Sequence, residues 1–194
     1  MEEMKQETPC LIVICGWPVS GKSTIAENLS KELKIHWVDI DGIRRIAFGI
    51  PHPHPDQSPE LRARDNQEMS ESYQLLMHVV DFHLTYNRSL IITATFSRKT
   101  GQDALQNIYE KHPSVPVKII QCKPTLLDDT AVEKRISSRG FGEKYIGGVN
   151  SLARYHEVKD RYEPIELPHI EIDTSGDVSQ CVEAALKFIA ADQR

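Results

Sequence analysis

The chain has 194 residues, 40% of them hydrophobic and 26% charged, and a formal net charge of −5. That length suits one domain with a sizeable core, and the acidic balance argues against a protein that works mainly by gripping a nucleic-acid backbone. The start, MEEMKQETP, lacks the basic and apolar stretches of a secretory signal, and the apolar runs LIVIC and SLIITATF are too short to span a bilayer.

Cysteines stand at 10, 15, 122 and 181 without a C-x-x-C pair. They read as small buried residues of a reduced, cytoplasmic protein. A single domain over 1–194 is expected.

The first strand is expected at 10–15 (CLIVIC), where Cys10 and Cys15, five apart, face opposite sides. GWPVSGKST follows at 16–24, and a helix begins near Lys22. Gly16, Gly21, Lys22 and Ser23 fit G-x-x-x-x-G-K-[ST]. In such a loop the glycines let successive N–H groups point at phosphate oxygens, and the helix start adds its positive end. Lys22 is expected to reach the β and γ phosphates, and the Ser23 hydroxyl to ligate Mg²⁺. Gly16, Val19, Ser20, Gly21, Lys22, Ser23 and Thr24 make up the expected nucleotide-binding loop.

A second strand at 36–40 runs into VDIDGIRR (38–45). Two apart on an extended segment, Asp39 and Asp41 share a face. One carboxylate there can approach Mg²⁺ while the other orients an acceptor hydroxyl and takes its proton. Arg44, one helical turn past Asp41, can hold an anionic or polar acceptor.

GIPHPHPDQ (49–57) reads as an irregular, polyproline-like flap, a wall of the acceptor pocket rather than a zinc site at His52 and His54. A long helix begins at Ser58-Pro59, an N-cap followed by proline. Met69, Tyr73, Leu76, Met77, Val80 and Leu84 keep its 3.6-residue period, and Arg62, Arg64 and Asp65 in its first turns can reach an acceptor.

Further strands are expected at 89–95, 115–122 and 169–173, and further helices at 99–111, 125–138, 151–161 and from Asp177 on. Strands without alternation, separated by helices, indicate an α/β fold with a parallel sheet covered on both faces. Arg135 and Arg139 share one helical face just before the glycine-rich segment GFGEKYIGGVN (140–150), which holds Lys144, and Arg154 follows. Arginines beside such a flap are placed to close over a transferring phosphate as a lid.

GWPVSGKST, DIDGIRR, SLIITATFSRKTG and EKRISSRG together resemble the P-loop kinases of small molecules. The resemblance is to the broad group of AAA-like kinases related to adenylylsulfate, gluconate and shikimate kinases, chloramphenicol phosphotransferase and the 5′-kinase domain of polynucleotide kinase. It covers about residues 9–190. It implies a three-layer α/β/α P-loop NTPase fold with a five-stranded parallel sheet in the order 2-3-1-4-5. It also implies ATP as donor with Mg²⁺, and a mobile lid at about 136–153.

Carried over by position, Lys22 and Ser23 keep their phosphate and metal roles. Asp41 matches the acceptor-facing base, Asp39 the acid close to the metal, and Arg44 the acceptor-side arginine. DTSGD (173–177) matches a loop bordering the adenine. Many relatives carry an aspartate at the end of the third strand, where Ile91-Ile92-Thr93-Ala94-Thr95 places a threonine. Either Asp39 supplies the missing negative charge or the chemistry is weakened.

The expected function is an ATP- and Mg²⁺-dependent kinase of a small hydroxyl-bearing acceptor, with Lys22, Asp41, Arg135 and Arg139 carrying the reaction. The alternatives are a polynucleotide 5′-hydroxyl kinase, a zeta-toxin-like kinase and a non-catalytic nucleotide switch. The N-K-x-D motif of guanine-nucleotide switches is absent from the sequence.

Overall fold

The computed structural model describes residues 9–49, 58–138, 149 and 151–191. Five strands form one sheet: β1 (Leu11–Gly16), β2 (Trp37–Asp39), β3 (Leu90–Thr93), β4 (Val117–Cys122) and β5 (His169–Ile172). All pairings are parallel and the order is β2-β3-β1-β4-β5. The helices between them are α1 (Lys22–Leu33), α2 (Ile40–Phe48), α3 (Pro59–Thr85), α4 (Lys99–Lys111), α5 (Asp129–Ser138), α6 (Leu152–Asp160) and α7 (Val178–Ala190).

The period of two along buried strands makes two cores. Leu11, Val13 and Cys15 of β1 and Leu90 and Ile92 of β3 face α2, α3 and α4, where they meet Ile40, Leu76, Val80, Leu84 and Leu105. Ile12 and Ile14 of β1 and Ile91 of β3 face α1 and α7, packing on Ile25, Leu29, Val182 and Ala185. Cys10 packs on the second core and Cys15 on the first, and the four cysteines are free. A third, smaller cluster of Val19, Val132 and Tyr155 joins the P-loop to α5 and α6. It lies at the carboxyl edge of the sheet, where ligands of open parallel sheets bind.

Among the described residues no helix is long and apolar enough to cross a membrane. The start of α3 is as the sequence indicates: the Ser58 hydroxyl accepts from the Leu61 N–H and Pro59 opens the helix.

Among the boundaries that differ from expectation, three bear on the site. β2 ends at Asp39, because the Asp39 carboxylate accepts the Asp41 N–H and turns the chain into α2. Asp41 therefore stands in a helical first turn and does not share a strand face with Asp39. β3 stops at Thr93, short of Thr95. α5 begins at Asp129 rather than 125, since the N–H and hydroxyl of Thr125 are both tied to the Asp173 carboxylate. The segments at 50–57 and 139–148, with His52, His54, Arg139 and Lys144, lie outside the described residues.

Candidate active site

The phosphate loop joins β1 to α1. Gly16 has φ of +129° and its Cα lies against β4; a Cβ there would stand 2.2 Å from the Cys122 carbonyl oxygen. Gly21 is the N-cap of α1 in the left-handed region, with no side chain capping the helix. No side chain among the described residues caps α1, and its first turn carries no acidic residue, so this helix start suits an anion.

Lys22 Nζ reaches across the loop to the carbonyls of Trp17 (2.6 Å) and Gly16 (3.2 Å). Ser23 is half-buried and Thr24 exposed at the helix start. Val19, with φ of +53°, and Ser20 are buried. Val19 packs on Val132 and Tyr155, and Ser20 has a side-chain oxygen without a hydrogen-bond partner among the described residues. Both serve the cradle through their backbone.

Beneath the loop, burial above all pushes the thiols of Cys15 and Cys122 up to about 12. They stay protonated and act as packing groups, not nucleophiles.

The loop is gripped from above. Arg135 of α5 donates to the Val19 carbonyl (2.9 Å) and to the Thr174 carbonyl (3.2 Å). The Thr174 hydroxyl donates to the Ser20 carbonyl at 2.6 Å. The DTSGD segment therefore touches the P-loop directly. Lys159 of α6 lies over the Trp17 ring, 4.6 Å from its centre, so Trp17 is a seat for α6.

The acidic turn stands two strands away at the same sheet edge. Asp39 is opposite Thr93 in register, and the Thr93 hydroxyl donates to Asp39 Oδ2 while Oδ1 accepts the Asp41 N–H at 2.9 Å. Gly16, at the mouth of the P-loop, donates its N–H to the Thr95 carbonyl just beyond β3 (3.4 Å). Tyr73 of α3 closes this corner: its hydroxyl accepts the Phe96 N–H at 3.0 Å. Burial, helped by the charge of Asp41, raises its pKa, so it stays a neutral phenol.

Arg44 points elsewhere than the sequence suggests. It is buried, with Asp65 at 2.5 Å and Glu68 at 3.0 Å. Its guanidinium is committed to α3, and any acceptor must compete with two carboxylates for it. Asp65 is shared with Arg154 of α6 at 3.5 Å. Sequence reasoning missed Arg98 and Arg161, which lie beside this network; no local pattern marks them.

Sheet order, uncapped helix start and glycine loop define a P-loop NTPase fold. The AAA domain family matches residues 11–164, and the chain belongs to that family. No curated protein sequence matches it. Solved structures share the fold over nearly the whole chain at low identity. A candidate kinase from Chloroflexus aurantiacus is 22% identical with a TM-score of 0.70, covering 94% of this chain and 99% of that one. A sugar kinase from Janibacter is 19% identical with a TM-score of 0.63, covering 93% and 94%. A gluconokinase from Sinorhizobium meliloti is 15% identical with a TM-score of 0.60, covering 95% and 93%.

Proposed function

We propose that this chain is a kinase that moves the γ-phosphoryl group of ATP to a hydroxyl of a small-molecule acceptor. One observation carries the reading. The phosphate cradle after β1 and the acidic turn after β2 flank the same end of β3, so a phosphate on one side and a hydroxyl on the other share one corner. The names of the structural neighbours, a sugar kinase and a gluconokinase among them, agree with it.

The residues then divide the work. The N–H groups of Gly21, Lys22 and Ser23 hold phosphate oxygens at the helix start. Lys22 exchanges its two loop carbonyls for the β and γ phosphates, a charge-assisted gain. Ser23 and Asp39 offer the hard oxygen donors that Mg²⁺ prefers, and Gly16 lets the start of the loop pack directly on the β4 backbone at Cys122. Bound Mg²⁺ would neutralise charge on the phosphates.

Asp41, oriented by the cap at Asp39, accepts the proton of the attacking hydroxyl. Arg44 holds α2, and with it Asp41, against α3. Arg135 steadies the loop from above; Arg139, outside the described residues, keeps the lid role that its sequence position implies.

The test is transfer from γ-labelled ATP with Mg²⁺ to pooled hydroxyl compounds, including sugars, nucleosides, antibiotics and a 5′-hydroxyl oligonucleotide. A labelled small molecule is the expected result, and Asp41→Asn should lower kcat about 10²- to 10⁴-fold with ATP binding intact. Tight ATP binding with no acceptor labelled sinks the kinase reading. Labelling of the oligonucleotide alone replaces the acceptor class with nucleic acid.

A further inference from the structure

Between α3, α6 and the start of α4, arginines outnumber the acids that face them. Arg44 pairs with Asp65 and Glu68, and Arg64 with Glu68 at 2.8 Å. Arg154 pairs with Glu157 at 2.6 Å and with Asp65 at 3.5 Å; Arg161 reaches Glu157 at 3.6 Å. Arg98 reaches a neutral partner, Asn66, at 3.4 Å. Four guanidinium groups therefore share three carboxylates among the described residues, and a fifth, Arg98, meets an amide oxygen. Arg62 also bears on Glu157, adding a sixth positive charge. The next acid, Glu163, is turned to the backbone N–H of Lys99, and Lys99 itself pairs with Glu166.

The excess is concentrated at one point. Arg161 Nε is buried without a hydrogen-bond partner among the described residues. Burial first, then the charges of Arg154 and Arg98, lower the Arg161 pKa. Like charges are not held together by their own attraction, and a buried donor left unmade is costly. An anion with several oxygens answers both conditions, and planar guanidinium forks suit it.

The place is as telling as the charge. Arg98 is the N-cap of α4, two residues after Phe96, whose N–H meets the Tyr73 hydroxyl. Arg154 shares Asp65 with Arg44, which stands one turn beyond Asp41. The cluster thus adjoins the acidic turn through Asp65, while α6 itself rests on the P-loop at Trp17.

We propose that Arg98, Arg154 and Arg161 form an anion pocket, and that the acceptor is a hydroxyl compound carrying a phosphate or carboxylate group held there. The acceptor half of this rests on the kinase reading of the site; the pocket itself does not. Its occupant leaves the hydroxyl end toward Asp41.

Inorganic phosphate is titrated calorimetrically into the protein saturated with Mg²⁺ and a non-hydrolysable ATP analogue, which fills the P-loop. Saturable binding is expected. Arg98→Gln and Arg161→Gln should each weaken it about 10-fold, while Arg88→Gln, past the far end of α3, should not. Arg98 is exposed and its bond among the described residues is to Asn66, so Arg98→Gln keeps the fold even if Arg161→Gln does not. Absence of saturable binding, or binding that Arg98→Gln leaves unchanged, overturns the pocket.

A second arm compares matched hydroxyl compounds with and without a phosphate or a carboxylate in the transfer assay. Labelling of the anionic members alone supports the proposal and tells the two anions apart. Equal labelling of the neutral members refutes the proposed acceptor and leaves the kinase reading standing. Phosphate binding with no compound labelled refutes the kinase reading and leaves the pocket standing.

Discussion

Asp39 and Thr93 stand opposite one another on parallel strands, and the two oxygens of the aspartate are used separately. One takes the Thr93 hydroxyl and the other caps α2. Thr93, where the resemblance led to an expected aspartate, is therefore a fixed partner of Asp39. A second carboxylate at 93 would face the first across adjacent strands, and like charges so close resist joint ionisation. Thr93→Val should cost about 1 to 2 kcal/mol in urea unfolding. If Asp39 serves the reaction, kcat should fall as well, and a double-mutant cycle with Asp39→Asn should show coupling between the two sites.

Arg44→Gln removes the cation from between two carboxylates at a buried position. Breaking such a pair should cost about 3 kcal/mol, read as a shift in the denaturant midpoint. Arg44→Lys keeps the charge but loses the fork, and should fall between the two.

Acid should weaken the fold. Burial alone would push Glu68 up, but the hydrogen bonds from Arg44 and Arg64 outweigh it and hold Glu68 below its ordinary value of 4.5. Asp81 is held below 3.8 by hydrogen bonds from Lys111 and His112. A carboxylate depressed in the folded state contributes stability above its unfolded pKa and loses it as pH falls through the folded one. The unfolding free energy should accordingly be lower at about pH 3 than at about pH 6, with a shallower fall in Arg44→Gln. An equal slope in the two proteins would remove Glu68 from the account.

Gly16→Ala drives a Cβ into the Cys122 carbonyl from a backbone angle that alanine resists. The loop must shift, at a cost of about 2 kcal/mol or more. Both the melting temperature and ATP-analogue binding should drop. Gly42→Ala, on open surface in α2, is the control, and there neither should fall.

Arg135→Ala frees the Val19 and Thr174 carbonyls. ATP KM should rise about 10-fold with the fold retained, measured in the transfer assay and by thermal melting.

The strands, the P-loop and the start of α3 were legible in the sequence because each is written locally: apolar runs, glycine spacing, Ser58-Pro59. The acidic turn was half legible. DIDGIRR marked the place, but Asp39 and Asp41 divide between cap and helix, and that depends on which amide Asp39 takes. Arg44 misled for a plainer reason. Its partners Asp65 and Glu68 lie on another helix, and only the packing of α2 on α3 brings them together. Arg98 and Arg161 were invisible for the same cause. Arg135 was marked in the sequence as a lid arginine, but its grip on two backbone carbonyls was not legible there.

That grip has a further consequence. Arg135 binds peptide oxygens, which every residue type possesses, not side chains. As far as this contact is concerned, positions 19 and 174 can drift in evolution while position 135 cannot. In a saturation library scored for nucleotide binding, the burden of this clamp should fall on a single codon.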